Sequence, residues 1–152
     1  MLKKIYNEVT REWDTSVEEA LKSFIRLPAL STDFDKKWEE NGVLLKALEE
    51  AKAWAEKQGI KGLRCEIIKD DGFTPCLFIE VDATSDKKFE RSVFFYGHLD
   101  KQPPNEGWDP DKSAWEPVIQ NGRLYGRGAV DDGYALHVSG RSEGAADIRN
   151  PA

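Results

Sequence analysis

The chain has 152 residues, enough for one domain with a hydrophobic core, with 39% hydrophobic and 33% charged residues and a formal net charge of −6. This acidic balance argues against nucleic acid as a partner, because binding to phosphate backbones needs clustered Lys and Arg. Residues 1–8 lack the apolar run of a signal peptide and no apolar stretch reaches the roughly 20 residues that cross a bilayer, so we expect a cytoplasmic protein without membrane contact.

The first part of the chain has the apolar periodicity of helices. Large apolar side chains recur at helical spacing in three segments: residues 2–13, 17–25 and 44–55. Residues 14–16 read Asp-Thr-Ser and predict N-caps that separate the first helix from the second. Pro28 and Gly59 predict the ends of the second and third helices. Trp38 is expected on a short helical turn that Gly42 interrupts.

The pattern then changes to that of strands. Residues 63–68 and 76–81 predict two strands with a turn at Asp70-Asp71-Gly72, because Asp-Gly supplies the positive φ of a tight hairpin. Residues 91–96 form a nearly continuous apolar run, which is typical of a strand buried on both faces. Helices followed by such strands predict a layered α/β domain.

The candidate functional residues begin directly after this apolar run, with Gly-His-Leu-Asp at residues 97–100. Alternate residues of a strand share a face, so His98 and Asp100 can project together past its end, where α/β sheets bind ligands. A metal-ligating imidazole is usually oriented by a carboxylate. The pattern predicts His98 as a metal ligand held by Asp100. The alternative, which is commoner for an isolated His-x-Asp pair, is a structural hydrogen bond.

A second motif, residues 126–133, contains three glycines and two consecutive carboxylates, Asp131 and Asp132. Asp131 is a candidate metal ligand, since a carboxylate can bridge two ions in sites that activate water. A glycine-rich turn with solvated aspartates is the alternative. A phosphate-binding loop is disfavoured, because Asp131 stands where G-x-G-x-x-G has its third glycine and two carboxylates repel phosphate.

Together the motifs resemble the zinc peptidase family of carnosine-type dipeptidases, acetylornithine deacetylase and carboxypeptidase G. The resemblance covers roughly residues 1–136, and its motifs occur in order at matching spacing: residues 97–100, Trp108, residues 115–117 and residues 122–131. Residues 13–38 and His-Leu-Asp-Lys-Gln-Pro at 98–103 are similar to the dipeptidase branch.

The resemblance implies a zinc-peptidase catalytic domain, with N-terminal helices followed by part of a mixed, largely parallel sheet. It also implies hydrolysis of a small peptide or related amide by metal-activated water. In that case His98 binds one zinc and Asp131 bridges two, other divalent metals being alternatives, while Asp100 orients His98 as a catalytic residue that touches no metal. The complete family protein can form a homodimer.

The chain departs from the family pattern after Asp131. The general-base glutamate, which the family supplies from a Glu-Glu pair, is absent, and His137 lies too close in sequence to serve as the family's late histidine. One histidine and one aspartate fall short of the usual three or four zinc ligands. The dimerisation (lid) domain is also missing. We therefore expect residues 1–136 to be the N-terminal part of an incomplete catalytic domain, inactive by itself.

Residues 137–152 contain too few large apolar side chains to bury a helix face, so we expect an out-of-frame tail after a frameshift near residue 136, or a disordered tail. Three functional hypotheses follow. The first is a fragment of a dipeptide hydrolase, or of an N-acyl amino acid deacylase of the same family. The second is a non-catalytic binding or regulatory fragment that pairs with an intact subunit. The third is a product without function.

Overall fold

The computed structural model describes residues 2–83 and 92–137, and they form a mixed α/β structure of helices followed by two small hairpins. The helical elements of the first part are α1 (Leu2–Glu12), a π-helical turn (Trp13–Val17), α2 (Glu18–Arg26), α3 (Trp38–Asn41) and α4 (Val43–Lys57). The strands are β1 (Leu63–Ile68), β2 (Cys76–Val81), β3 (Val118–Gln120) and β4 (Arg123–Tyr125), followed by a 3-10 turn (Asp132–Tyr134). None of the described helices has the length and apolar character needed to cross a membrane.

The predicted N-caps between the first two helices are wrong. The π-helical turn joins α1 to α2 without a break, and no side chain caps the start of α2. The Thr15 hydroxyl instead donates to the carbonyl of Arg11 at 2.8 Å, and the Ser16 hydroxyl accepts from the indole N–H of Trp54 at 3.0 Å. A bond within the helix and a tertiary contact to α4 thus replace the caps.

The predicted helix ends are confirmed. Helix α2 ends at Arg26, and Leu27 is extended with φ −81° and ψ 117°, because the following proline disfavours helical backbone at that position. Gly42 separates α3 from α4 with φ +67°, and Gly59 follows α4 with the same φ. A left-handed residue of this kind costs a glycine little, since it has no Cβ.

The predicted hairpin is also confirmed, and the structure adds a second, shorter hairpin. Strands β1 and β2 pair antiparallel with Leu63 opposite Val81, and Gly72 in their turn has φ +79°. Strands β3 and β4 form a separate antiparallel hairpin with Ile119 opposite Leu124. The sheets of the described residues are therefore antiparallel, and the largely parallel sheet that the resemblance implies is not confirmed.

The predicted strand at residues 91–96 is wrong where the structure describes it. Residues 92–96 are not in a strand, and the apolar side chains are exposed, from 59% at Phe95 to 82% at Phe94. Arg91 lies outside the described residues. An apolar run becomes a central strand only when neighbouring strands supply its backbone hydrogen bonds, and the described residues provide no such neighbour.

The buried core lies between α2, α4 and the chain that follows α2. One cluster consists of Leu27, Ala29, Leu44 and Ala47, with Trp38 and Val43 packed against it. Phe24 and Ile25 on α2 are also buried, and they face the glycine-rich motif. Of the predicted tail at residues 137–152, only His137 is described.

Candidate metal centre

The His-x-Asp motif is held against the chain that leaves α2. Lys101 donates its backbone N–H to the carbonyl of Ala29 at 2.8 Å, and Ser31 donates to the carbonyl of Lys101 at 2.9 Å. Leu30 and Lys101 thereby form a parallel bridge. This pairing fixes the backbone next to His98 and Asp100, although the motif does not follow the strand that the sequence predicted.

The glycine-rich motif passes so close to α2 that side chains are excluded at two positions. A Cβ on Gly133 would lie 2.2 Å from Cε1 of Phe24, and one on Gly126 would lie 2.5 Å from Cγ2 of Ile25. Real Cβ atoms do not approach other heavy atoms so closely. These glycines therefore allow the loop to lie on α2, and the loop brings Asp131 and Asp132 to His98.

The two loop carboxylates sit at the start of the 3-10 turn. The Asp131 side chain accepts the backbone N–H of Asp132 at 3.0 Å and so caps the turn. This bond uses part of the hydrogen-bonding capacity of one carboxylate oxygen and fixes the direction of the side chain. The same oxygen, Oδ1, lies 3.4 Å from Nε2 of His98.

The His98 ring contacts Asp100 through its Nδ1 atom. Its Nδ1 lies 3.0 Å from the Asp100 carbonyl oxygen and 3.2 Å from the Asp100 carboxylate. A carbonyl oxygen only accepts hydrogen bonds, so Nδ1 must carry the proton. In the neutral ring Nε2 then has a free lone pair, which is the form that ligates metals.

That lone pair faces negative charge. Nε2 of His98 lies 3.4 Å from the carboxylate of Asp131 and 3.8 Å from that of Asp132. Burial of the ring disfavours the charged imidazolium, but the Asp100 carbonyl and the three neighbouring carboxylates outweigh it, and the pKa of His98 is raised above the ordinary 6.5. The arrangement thus favours positive charge between Nε2 and the two carboxylates, either as a proton or as a metal ion.

The structure brings together the three predicted site residues, His98, Asp100 and Asp131, and adds one that sequence reasoning missed. Ligand atoms of His98, Asp131 and Asp132 all lie within 4.8 Å of one another. One imidazole nitrogen and two carboxylate oxygens form a donor set that suits Zn²⁺, and three protein ligands are usual for a catalytic zinc. The adjacent Asp-Asp pair was the available signal for Asp132.

His137 lies elsewhere. It is buried, its Nδ1 lies 3.2 Å from the carbonyl of Gly133, and its ring centroid lies 4.4 Å from that of Trp54. Burial lowers the pKa of His137, although the Gly133 carbonyl acts in the opposite direction. His137 therefore serves packing between the 3-10 turn and α4 in the part of the chain that the structure describes.

The two histidines of the chain are expected to titrate on opposite sides of pH 6.5. His98 should protonate above that value, so its contribution to stability is present below pH 6.5 and lost as the pH rises through its folded pKa. His137 should protonate below it, so stability is lost as the pH falls under 6.5. Imidazole proton shifts measured by NMR in metal-free protein, assigned with His137→Phe, check this. Indistinguishable pKa values would contradict the described environments.

Comparison with known proteins identifies the segment that carries this centre. Residues 94–139 match the model of "Peptidase family M20/M25/M40". The succinyl-diaminopimelate desuccinylases of Acidiphilium cryptum and Sphingopyxis alaskensis are each 57% identical to the chain over 37 residues. The match covers 24% of this chain and 9% of each relative.

A protein of Bacillus subtilis named "Putative dipeptidase YtjP" is 51% identical over 35 residues, which cover 23% of this chain and 7% of that protein. The matched stretches thus span less than a tenth of the length of these relatives. The matched relatives are named as desuccinylases and as a putative dipeptidase. The segment that contains His98, Asp100, Asp131 and Asp132 matches the model of peptidase family M20/M25/M40, in agreement with the resemblance found from the motifs.

Proposed function

We propose that the chain forms part of the metal centre of a hydrolase that cleaves dipeptides or related amide bonds with water. The observation that carries the proposal is the His98 ring, whose Nδ1 is held by Asp100 while its Nε2 faces the carboxylates of Asp131 and Asp132. This arrangement lies within the segment that matches a hydrolase family.

His98, Asp131 and Asp132 are the residues that would hold the metal, with zinc as the proposed ion. A cation bound there would supply Lewis-acid activation of water and of an amide carbonyl. Asp100 keeps the proton on Nδ1 and leaves Nε2 available as a ligand. Ligand atoms of His98, Asp131 and Asp132 lie within 4.8 Å of one another, so we propose that they hold one cation together.

A second candidate is the hydrolysis of an N-acyl amine, such as an N-succinyl amino acid. Its support is that several relatives of the matched segment are named as succinyl-diaminopimelate desuccinylases. Both candidates cleave an amide bond with water, and they differ only in the group on the acyl side. The dipeptidase proposal rests instead on the resemblance of residues 13–38 and 98–103 to the dipeptidase branch.

We further propose that the general base and the remaining metal ligands are supplied outside residues 1–136, so the 152-residue chain is inactive alone. The nucleotide sequence from codon 130 through and beyond the stop codon tests this. A shifted frame that continues into a Glu-Glu pair and a late histidine is the expected result. Its absence would contradict the frameshift and favour a binding fragment.

The reaction itself is tested by expressing the longest reading frame that contains residues 1–136 and measuring amine release from alanyl-alanine and from N-succinyl-alanine. We expect chelator-sensitive hydrolysis of the dipeptide, restored by Zn²⁺ and lost in His98→Ala. Faster release from the succinyl compound would favour the deacylase. Hydrolysis that survives both the chelator and the His98 substitution would contradict a metal centre at this site.

A further inference from the structure

Lys101 follows Asp100 directly and is more deeply buried than any other charged residue that the structure describes, at 1% exposure. With Leu21 and Ile25 it forms the set of largest fully buried side chains. A lysine is almost never buried to this extent unless its charge has partners. The groups that Lys101 contacts should therefore explain why its side chain is buried.

Its ammonium group lies at the C-terminal end of α2. Nζ donates to the backbone carbonyls of Phe24, of Ile25 at 3.4 Å and of Leu27 at 2.7 Å. Carbonyls in the last turn of a helix have no partner within that helix, and a cation there also interacts favourably with the helix dipole. Lys101 thus caps α2 from the segment that carries His98 and Asp100.

The stem of the same side chain contacts the glycine-rich motif. A Cβ on Gly128 would lie 3.1 Å from Cε of Lys101 and 3.1 Å from Cε1 of Phe24. Nζ lies 3.9 Å from the centroid of the Phe24 ring, and that ring also underlies Gly133. Lys101 and Phe24 therefore form one packed unit beneath the loop that presents Asp131 and Asp132.

The burial of Lys101 is energetically unfavourable by itself. Loss of solvation lowers the pKa of Lys101 to about 7, although the charge of Glu50 on α4 acts in the opposite direction. An apolar side chain of the same length would avoid this desolvation but would remove all three bonds from Nζ to the end of α2 and the residue that follows it, leaving the Phe24 and Leu27 carbonyls with only the backbone N–H groups of Leu27 and Ala29. The amino group thus has a role that apolar packing cannot replace.

We infer that Lys101 is a positioning residue of the candidate metal centre, which locks the His98–Asp100 segment, the end of α2 and the Asp131–Asp132 loop in one arrangement. The inference rests on the proposed function, since it assigns Lys101 to the same centre. Lys101 contacts no metal ligand side chain in this scheme. It acts by fixing the backbone of the two segments that carry the ligands, the His98–Asp100 segment and the Asp131–Asp132 loop.

The test compares Co²⁺ binding, followed by visible absorption, in the 152-residue wild type, Lys101→Met and Lys101→Arg. We expect Lys101→Met to raise the Kd for Co²⁺ about tenfold and to change the absorption spectrum of bound Co²⁺. Residues that orient metal ligands without touching the metal typically change the affinity by roughly 10–100-fold, and this estimate is at the lower end of that range. Lys101→Arg keeps the cation and should remain within about threefold of wild type. Binding is measured at a temperature where circular dichroism shows each variant to be folded.

Lys112→Met is the matched control, because Lys112 is a partly buried lysine whose ion-pair partners, Asp109 and Asp111, are not among the candidate metal ligands. It should bind Co²⁺ as wild type does. An unchanged Kd and spectrum in Lys101→Met would overturn the inference alone. If wild type bound Co²⁺ no more tightly than His98→Ala does, the proposed function would be overturned instead. If Lys101→Met does not fold, Lys101→Gln takes its place, because its uncharged amide is one bond shorter than the lysine side chain and has too few N–H groups for the three carbonyls, and the same loss is expected.

Discussion

Replacing His98 with alanine is expected to abolish stoichiometric binding of Zn²⁺ or Co²⁺ to the metal-free chain. The substitution removes one of three candidate ligands and the only nitrogen donor among them. Loss of a direct ligand should exceed the roughly 10–100-fold loss in affinity that follows removal of an outer partner. Wild-type protein is expected to bind one equivalent of metal, measured by isothermal titration calorimetry near pH 7.5.

His137→Phe is the matched control, because it removes the other histidine of the chain but keeps a ring against Trp54. It should bind metal as wild type does. Asp100→Asn should give a smaller loss, about tenfold, because the backbone carbonyl of Asp100 still accepts from Nδ1 of His98. Equal metal binding by wild type and His98→Ala would show that the ion binds elsewhere.

Replacing Gly133 with alanine is expected to lower the free energy of unfolding by about 2–3 kcal/mol, the upper part of the range of about 1–3 kcal/mol for overpacking of a buried site. The new Cβ would lie 2.2 Å from Cε1 and 2.5 Å from Cζ of Phe24, whose ring is itself buried. Either the ring or the loop must shift. For a chain of this length the change corresponds to a decrease in Tm of about 5–10 °C, measurable by calorimetry.

Gly97→Ala provides the matched control for this clash. The same added methyl group would lie 3.3 Å from the nearest atom, Cβ of Ala135, so its effect on Tm should be much smaller. The double variant Gly133→Ala/Phe24→Leu removes the ring atoms that cause the clash and should lose less stability than the two single changes combined. Equal decreases in Tm for the two alanine variants would contradict the described contact between loop and helix.

The local patterns of the chain determined most of its secondary structure. The helix end before Pro28, the left-handed glycines at Gly42 and Gly59, and the first hairpin follow from the backbone preferences of single residues. The predicted N-caps at residues 14–16 are absent, and the sequence could not show this, because Ser16 accepts from Trp54, which lies far away in sequence. Local propensity is overridden where a tertiary partner offers a hydrogen bond.

The apolar run at residues 91–96 illustrates a second limit. Its sequence is typical of a central strand, but a strand depends on hydrogen bonds from neighbours that a local pattern does not contain. In the described residues 92–96 such neighbours are absent and the side chains are exposed. The apolar pattern therefore indicates that the segment is able to form a central strand, but it does not indicate whether neighbouring strands are present.

By itself the sequence determined the chemistry of the candidate centre: a histidine two residues from an aspartate, and a glycine-rich motif with two carboxylates. Only the tertiary structure decided that Asp132 joins His98 and Asp131, and that the buried Lys101 holds the segments around them. The physical reason is that ligand character belongs to the side chain, whereas proximity depends on how the loop lies on α2. That close approach is possible because Gly126 and Gly133 have no Cβ to meet Ile25 and Phe24.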